Sequence, residues 1–232
     1  MLKVERDVFP NDEQWEAVVR GVRNPYASWG KSDSKWISTV DIHDAFQIGE
    51  ADLALMKKLA NAGDDHGKFM RMLPVICDIT APLYWWKEAD QYKIGTVTDS
   101  CSTMHSIANK EFTLDDFSWE HLLNTGLDLF EFNWDNGLFS RNVQPLDFMN
   151  CFFIPALNKC REKYLETKDK VYWWQIIQLL PTSYMQKRTW SGNYQVLKHI
   201  YHARKNHKLG EWHTFCDWIK TVPYAELITG EE

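Results

Sequence analysis

The segment LLPTSYMQKRTWSGNYQVLKHIYHARKNHKLGEW, residues 179–212, constrains this chain more than any other. Asn193, Leu197, Ile200, Arg204, His207 and Glu211 recur at spacings of four, three, four, three and four. That is the signature of one helix face, and the spacing predicts a helix over about 183–209. Leu197 and Ile200 mark the face as buried, while Lys198, Lys205 and Lys208 point elsewhere. An arginine on a buried stripe is costly unless an anion or a set of acceptors meets it. A ligand phosphate, a polarised carbonyl or a protein carboxylate such as Glu211 would each serve. His207 reads, by itself, as a satisfied core or surface histidine.

Upstream, Trp15, Val18, Val19 and Val22 have helical spacing over 11–23, with Asn11 or Asp12 as the cap. Residues 50–62 read as a second amphipathic helix closed by Gly63. The run MLPVICDI at 72–79 is apolar and β-branched, so a strand is expected before Pro82. Residues 83–93 fit helix or strand equally. From Glu111 to Gln144 there is no clear period, which predicts loop with short helical pieces. Further helices are expected at about 155–168, at 171–180 and after Glu211. No linker or repeat divides the chain, so 1–232 reads as a single domain, α+β in class, with a central sheet flanked by helices.

A net charge of −6 excludes the broad basic field that duplex nucleic acid or an anionic membrane attracts. An anionic ligand must therefore be small and held by a few cations. The N-terminal MLKVERDVFPNDEQW has no apolar core for a signal peptide, and no apolar run approaches membrane-spanning length. The five cysteines include no CxxC pair, which fits reduced thiols and a cytoplasmic location, without a metal site. The 12 tryptophans suit cores, interfaces and stacking surfaces alike.

Leu180-Pro181, Trp190, Asn193, Leu197, Arg204, His207 and Glu211 form an order that resembles the C-terminal core of the flavin-dependent thymidylate synthases. Their Leu-Pro pair leads into a helix bearing Trp, Asn, a Leu-rich stripe, Arg, then His and Glu. A second match precedes it: His66, the strand MLPVICDI and Ala81-Pro82 follow in the family's register. VVRGVRNPYASW, ending in Ser28-Trp29, is similar to the family's early helix. The family signature R-H-R-x-x-S-x-N-x-x-S-x-R corresponds here to QYKIGTVTDSCSTMH. Gln91-Tyr92-Lys93 thus stands in place of the cationic triplet, and Arg71 stands where the family has an acid. A nucleotide phosphate would rest on Lys93 and Arg204.

The resemblance implies a homotetramer with flavin adenine dinucleotide (FAD) at a subunit interface. It also implies transfer of one carbon to C5 of a pyrimidine deoxynucleotide, as in making thymidylate from deoxyuridylate. Methylenetetrahydrofolate and NADPH would be co-substrates. Carried over residue by residue, Arg204 orients and activates the base. His66, Gln91, Tyr92, Lys93, Asn193, His199 and His207 line the cofactor. Glu88, Asp99, Ser100, Cys101, Ser102, Thr103 and Arg204 hold the substrate. Two other readings share these residues: an enzyme transferring a different group to a pyrimidine nucleotide, and a non-catalytic nucleotide-binding relative. The run from Thr96 to Ser102 reads equally as a hydrogen-bonding loop and as a solvated turn after Gly95. Cys101 within it is a candidate nucleophile or simply a small residue.

Overall fold

In a computed structural model of the chain, the described residues are 1–38, 44–134, 137 and 139–230. The elements follow in chain order. Strand β1 (Lys3–Val8), helix α1 (Asp12–Arg23), strands β2 (Lys35–Ser38) and β3 (Asp44–Gln47) and helix α2 (Glu50–Asn61) come first. Strand β4 (Pro74–Pro82) runs directly into helix α3 (Leu83–Ala89), followed by β5 (Val97–Ser100) and the single turn α4 (Thr103–Ser106). A hairpin of β6 (Phe130–Trp134) and β7 (Phe139–Val143) precedes α5 (Pro145–Phe148), a π-helical turn (Met149–Phe153), α6 (Ile154–Thr167) and α7 (Lys170–Leu179). Strand β8 (Met185–Asn193), helix α8 (Tyr194–Arg204), helix α9 (Gly210–Ile219) and the turn α10 (Glu226–Thr229) complete the chain.

Two compact units emerge, each threaded by separated segments. One contains 80–87 and 100–187 together with Met1; the other contains 2–79, 88–99 and 188–232. The four-stranded sheet, in the order β1-β4-β8-β5, belongs mainly to the second. Along β4 the alternate residues Val75, Cys77, Ile79 and Ala81 are buried, the period-two pattern of a strand with one face on a core. Helix α1 starts where the sequence places it, because Asn11 and Gln14 cap each other reciprocally, each side chain meeting the other's backbone N–H at 2.9 Å. Its buried face is Trp15, Val18, Val19, Val22 and, unusually, Arg23. The other unit has its own core of Ile107, Ala108, Phe112, Phe117, Ile154, Leu157 and Ile176.

The α+β class is as expected, and helices α1, α2, α6, α7 and α9 lie where periodicity puts them. Residues 83–89 resolve as helix. Two readings are corrected. The helix expected over 183–209 is a strand through Asn193 and a helix only from Tyr194 to Arg204. Asn193 is the break: its backbone is extended (φ −149°, ψ 171°) and its side chain caps α8 by accepting from the Val196 N–H at 3.1 Å. Upstream of it, Gly192 gives the indole of Trp190 room to fold back, since a Cβ there would lie 2.2 Å from the ring. The stretch 111–144 is not all loop and short helix. Phe130, Phe132 and Trp134 alternate with Glu131 and Asn133 in a strand that pairs antiparallel with β7, Phe132 opposite Arg141. Of that stretch, residues 135, 136 and 138 lie outside those described.

Candidate functional site

Arg204, at the last turn of α8, is enclosed by side chains from three other segments. Its Nε–H donates to the Tyr92 hydroxyl at 2.9 Å, and its Nη1 lies 3.2 Å from Glu88 Oε2. The guanidinium centre sits 4.9 Å from the ring of Trp212 and 5.6 Å from that of Tyr92. Both distances lie within cation–π range, and the two rings meet each other edge-on, their centroids 6.2 Å apart and their planes at 67°. The same Glu88 oxygen accepts from Trp212 Nε1 at 2.9 Å and faces His207 Nε2 at 3.5 Å. The Nδ1 of His207 accepts from the Leu209 N–H at 3.2 Å. With Nδ1 facing that N–H, Nε2 is the ring nitrogen turned to Glu88. The half-buried arginine's counter-ion is therefore Glu88. Glu211, the acid suggested by spacing, is buried on α9. Side-chain exposures of 18% for Arg204 and 30% for Glu88 leave the pair reachable from solvent.

A second cluster lies on another side of α8. Gln195 Nε2 meets Asp64 Oδ1 at 2.7 Å and His199 Nε2 at 2.9 Å, while His199 lies 3.3 Å from Asp64. The hydrogen bond with His199, and more weakly that of Gln195, holds the Asp64 carboxyl below the usual carboxylate range. Gln195 is buried, and its Oε1 has no hydrogen-bond partner among the described residues. From Gln195 to Arg204 is nine residues, two and a half helical turns, so the two project from opposite sides of α8. Beside Asp64, a cavity of about 700 Å³ is lined by Asn24, Tyr26, Asp65, His66, Phe69 and Met72, with Lys68 and Pro25 at its wall. Its size and its largely apolar lining with a few polar groups are those of a small-molecule pocket.

Of the expected site residues, the structure gathers Glu88, Tyr92, Arg204 and His207 into one cage and places His66 and His199 with the second cluster. Asn193 spends its carbonyl on the helix cap, and its Nδ2 faces Gly95, which has φ +78°. Gln91, Lys93, Asp99 and Ser100 are exposed. The Cys101 amide donates to the Lys187 carbonyl at 3.1 Å, its carbonyl accepts from Gln186 at 3.1 Å, and its thiol meets Ser106 Oγ at 3.5 Å. Ser102 stands at the N-cap position of α4 without a side-chain cap bond, its carbonyl accepting from Ser106 Oγ at 2.6 Å, and Thr103 Oγ1 lies 3.3 Å from the Gln186 amide. Sequence reasoning missed Trp212, Asp64 and Gln195. An indole eight residues after Arg204, in the next helix, was the available signal for Trp212.

The fold is that of the flavin-dependent thymidylate synthases. Thymidylate synthase X from Helicobacter pylori, solved with FAD and dUMP, superposes with a TM-score of 0.63 at 15% identity, covering 100% of this chain and 98% of that one. A UMP/dUMP methylase, PolB from Streptomyces cacaoi, bound with 5-Br dUMP, gives 0.56 at 15% identity over 99% and 95%. Neither a protein-family model nor a curated protein matches the sequence. No helix among the described residues is long and apolar enough to cross a membrane.

Proposed function

We propose that this chain is a flavin-dependent enzyme that transfers one carbon to C5 of a pyrimidine nucleotide. The observation that carries the reading is the Arg204 cage, set in a fold shared along the whole chain with proteins solved with FAD and dUMP. Among the described residues, the Arg204 Nε–H is taken by the Tyr92 hydroxyl and Nη1 faces Glu88 as an ion pair, so the fork keeps donors for a ligand. A guanidinium held by the Tyr92 hydroxyl, Glu88 and the Trp212 ring presents its remaining donors in one plane, the arrangement that orients a planar base edge and stabilises charge developing on it. Lys93, exposed one residue after Tyr92, supplies a cation for the nucleotide phosphate.

The residues present fit a flavin. The cavity beside Asp64 offers the Tyr26 and Phe69 rings and Met72 for the apolar part of an isoalloxazine, and His66 and Lys68 for its polar edge. Gln195 Oε1 is a buried acceptor still short of a donor. FAD bound there supplies the redox chemistry; the chain's part is to bind, orient and exclude water. NADPH as reductant and methylenetetrahydrofolate as carbon donor belong to the same proposal, as does a cytoplasmic location. So does one domain over 1–232, because neither compact unit is a continuous piece of chain that could be excised. The two clusters on opposite sides of α8 are two half-sites, and a homotetramer is the assembly that joins one chain's cage to another's cavity.

Titrating FAD into the purified protein tests the reading. Saturable quenching of flavin fluorescence is expected, weakened several-fold by Lys68→Ala. No change up to high micromolar FAD would remove flavin from the account.

A further inference from the structure

The Arg204 cage carries information about which base it takes, on the reading that this cage holds the pyrimidine. Glu88 presents a second carboxylate oxygen, Oε1, that has no hydrogen-bond partner among the described residues. Its Oε2 meets Trp212, Arg204 and His207. Arg204 lies beside it with donors to spare. The cage pairs one guanidinium with one carboxylate. Its accessible rim is therefore an acceptor next to a fork of donors.

The two pyrimidines present different edges to such a rim. Cytosine offers an amino donor at N4 and acceptors at N3 and O2; uracil offers an acceptor at O4, a donor at N3 and an acceptor at O2. A carboxylate oxygen beside an arginine fork matches cytosine at all three positions: Glu88 accepts from N4–H while Arg204 donates to N3 and O2. Uracil in the same pose sets O4 against the carboxylate and N3–H against the guanidinium. Ionising uracil at N3 removes the second conflict and adds a negative charge beside Glu88. We propose that the Glu88–Arg204 pair selects a cytosine nucleotide, with Glu88 as the specificity-determining residue.

Calorimetric titration of the full chain, in excess FAD, with dCMP, CMP, dUMP and UMP tests this. Wild-type protein is expected to favour the cytosine over the matching uracil nucleotide by at least about tenfold, within the range one well-formed side-chain–base pair provides. Glu88→Gln, whose amide can turn its NH2 toward O4, is expected to weaken dCMP, strengthen dUMP and collapse or reverse the ratio. Tighter dUMP than dCMP on wild-type protein overturns the inference whether or not the variant folds. So does a ratio unchanged by Glu88→Gln in a variant with a wild-type melting curve. Either result leaves a pyrimidine site in place. Failure of all four nucleotides to bind wild-type protein at millimolar concentration sinks the base-binding reading itself, and this inference with it.

Discussion

Replacing Asp52 by Asn should be among the most damaging conservative changes in the chain. The carboxylate is 0% exposed. Its Oδ1 accepts from Arg23 Nε at 2.6 Å. Its Oδ2 accepts from the hydroxyls of Ser32 and Ser34, each at 2.6 Å, and from the backbone N–H groups of Ser34 at 3.1 Å and Asp33 at 3.2 Å. An amide has the same shape but only one acceptor oxygen. Turned one way, its NH2 meets Arg23 donor to donor, and a buried guanidinium loses its counter-charge at a cost of about 3–5 kcal/mol. Turned the other way, the guanidinium keeps an acceptor but still loses its counter-charge, and four donors lose theirs at about 1 kcal/mol each. Either orientation therefore costs at least about 4 kcal/mol, a large share of the ~5–15 kcal/mol that holds a domain together. Urea denaturation followed by tryptophan fluorescence measures it. Removing the guanidinium as well, as Arg23→Met with Asp52→Asn, should recover much of the loss, because the amide oxygen can then serve the four donors and no stranded cation remains. A single substitution within about 1 kcal/mol of wild type, or a double variant no more stable than the single, would refute this account.

Two other outcomes are expected. Burial raises the Asp52 pKa, but hydrogen bonds from Ser32, Ser34 and Arg23 outweigh it and bring the folded-state value to about 2, from 3.8. A depressed value contributes stability present above about pH 3.8 and lost as pH falls through about 2. That contribution is worth about 2 kcal/mol, so wild type should lose more stability than Asp52→Asn between pH 5 and pH 2; parallel profiles would count against it. Arg204→Ala, acting on a partly exposed pair, should cost only about 1 kcal/mol of stability while reducing nucleotide affinity at least about tenfold. A large fall in Tm with binding unchanged would make the cage purely structural.

The legible parts of this fold are those where local chemistry and tertiary packing agree. The reciprocal cap of Asn11 and Gln14 fixes the start of α1, and the Pro74–Pro82 run alternates as a buried strand must. The region before Asn193 was misread because Asn193, Leu197 and Ile200 do share a helical period, while Trp190 and Gly192 signal a strand only through their contact with each other. The aromatic hairpin has visible alternation, yet Phe132, Trp134 and Phe139 remain exposed, and exposed aromatics do not announce a strand. At the site, Arg204 was readable because a charge on an apolar face requires a partner. The partner's identity was not, since Glu88 lies 116 residues earlier and joins Arg204 only through the fold.

The order β1-β4-β8-β5 has a consequence for how the protein is made. Strand β4 ends at Pro82 and its neighbour β8 begins at Met185, so on a ribosome about 100 residues must emerge before β4 has its second partner. Until then one edge of an apolar strand is open, the condition under which nascent sheets stick to other chains. Synthesis stalled between Pro82 and Met185 should therefore yield an aggregation-prone nascent chain that engages chaperones, and release should come only once β8 closes the gap.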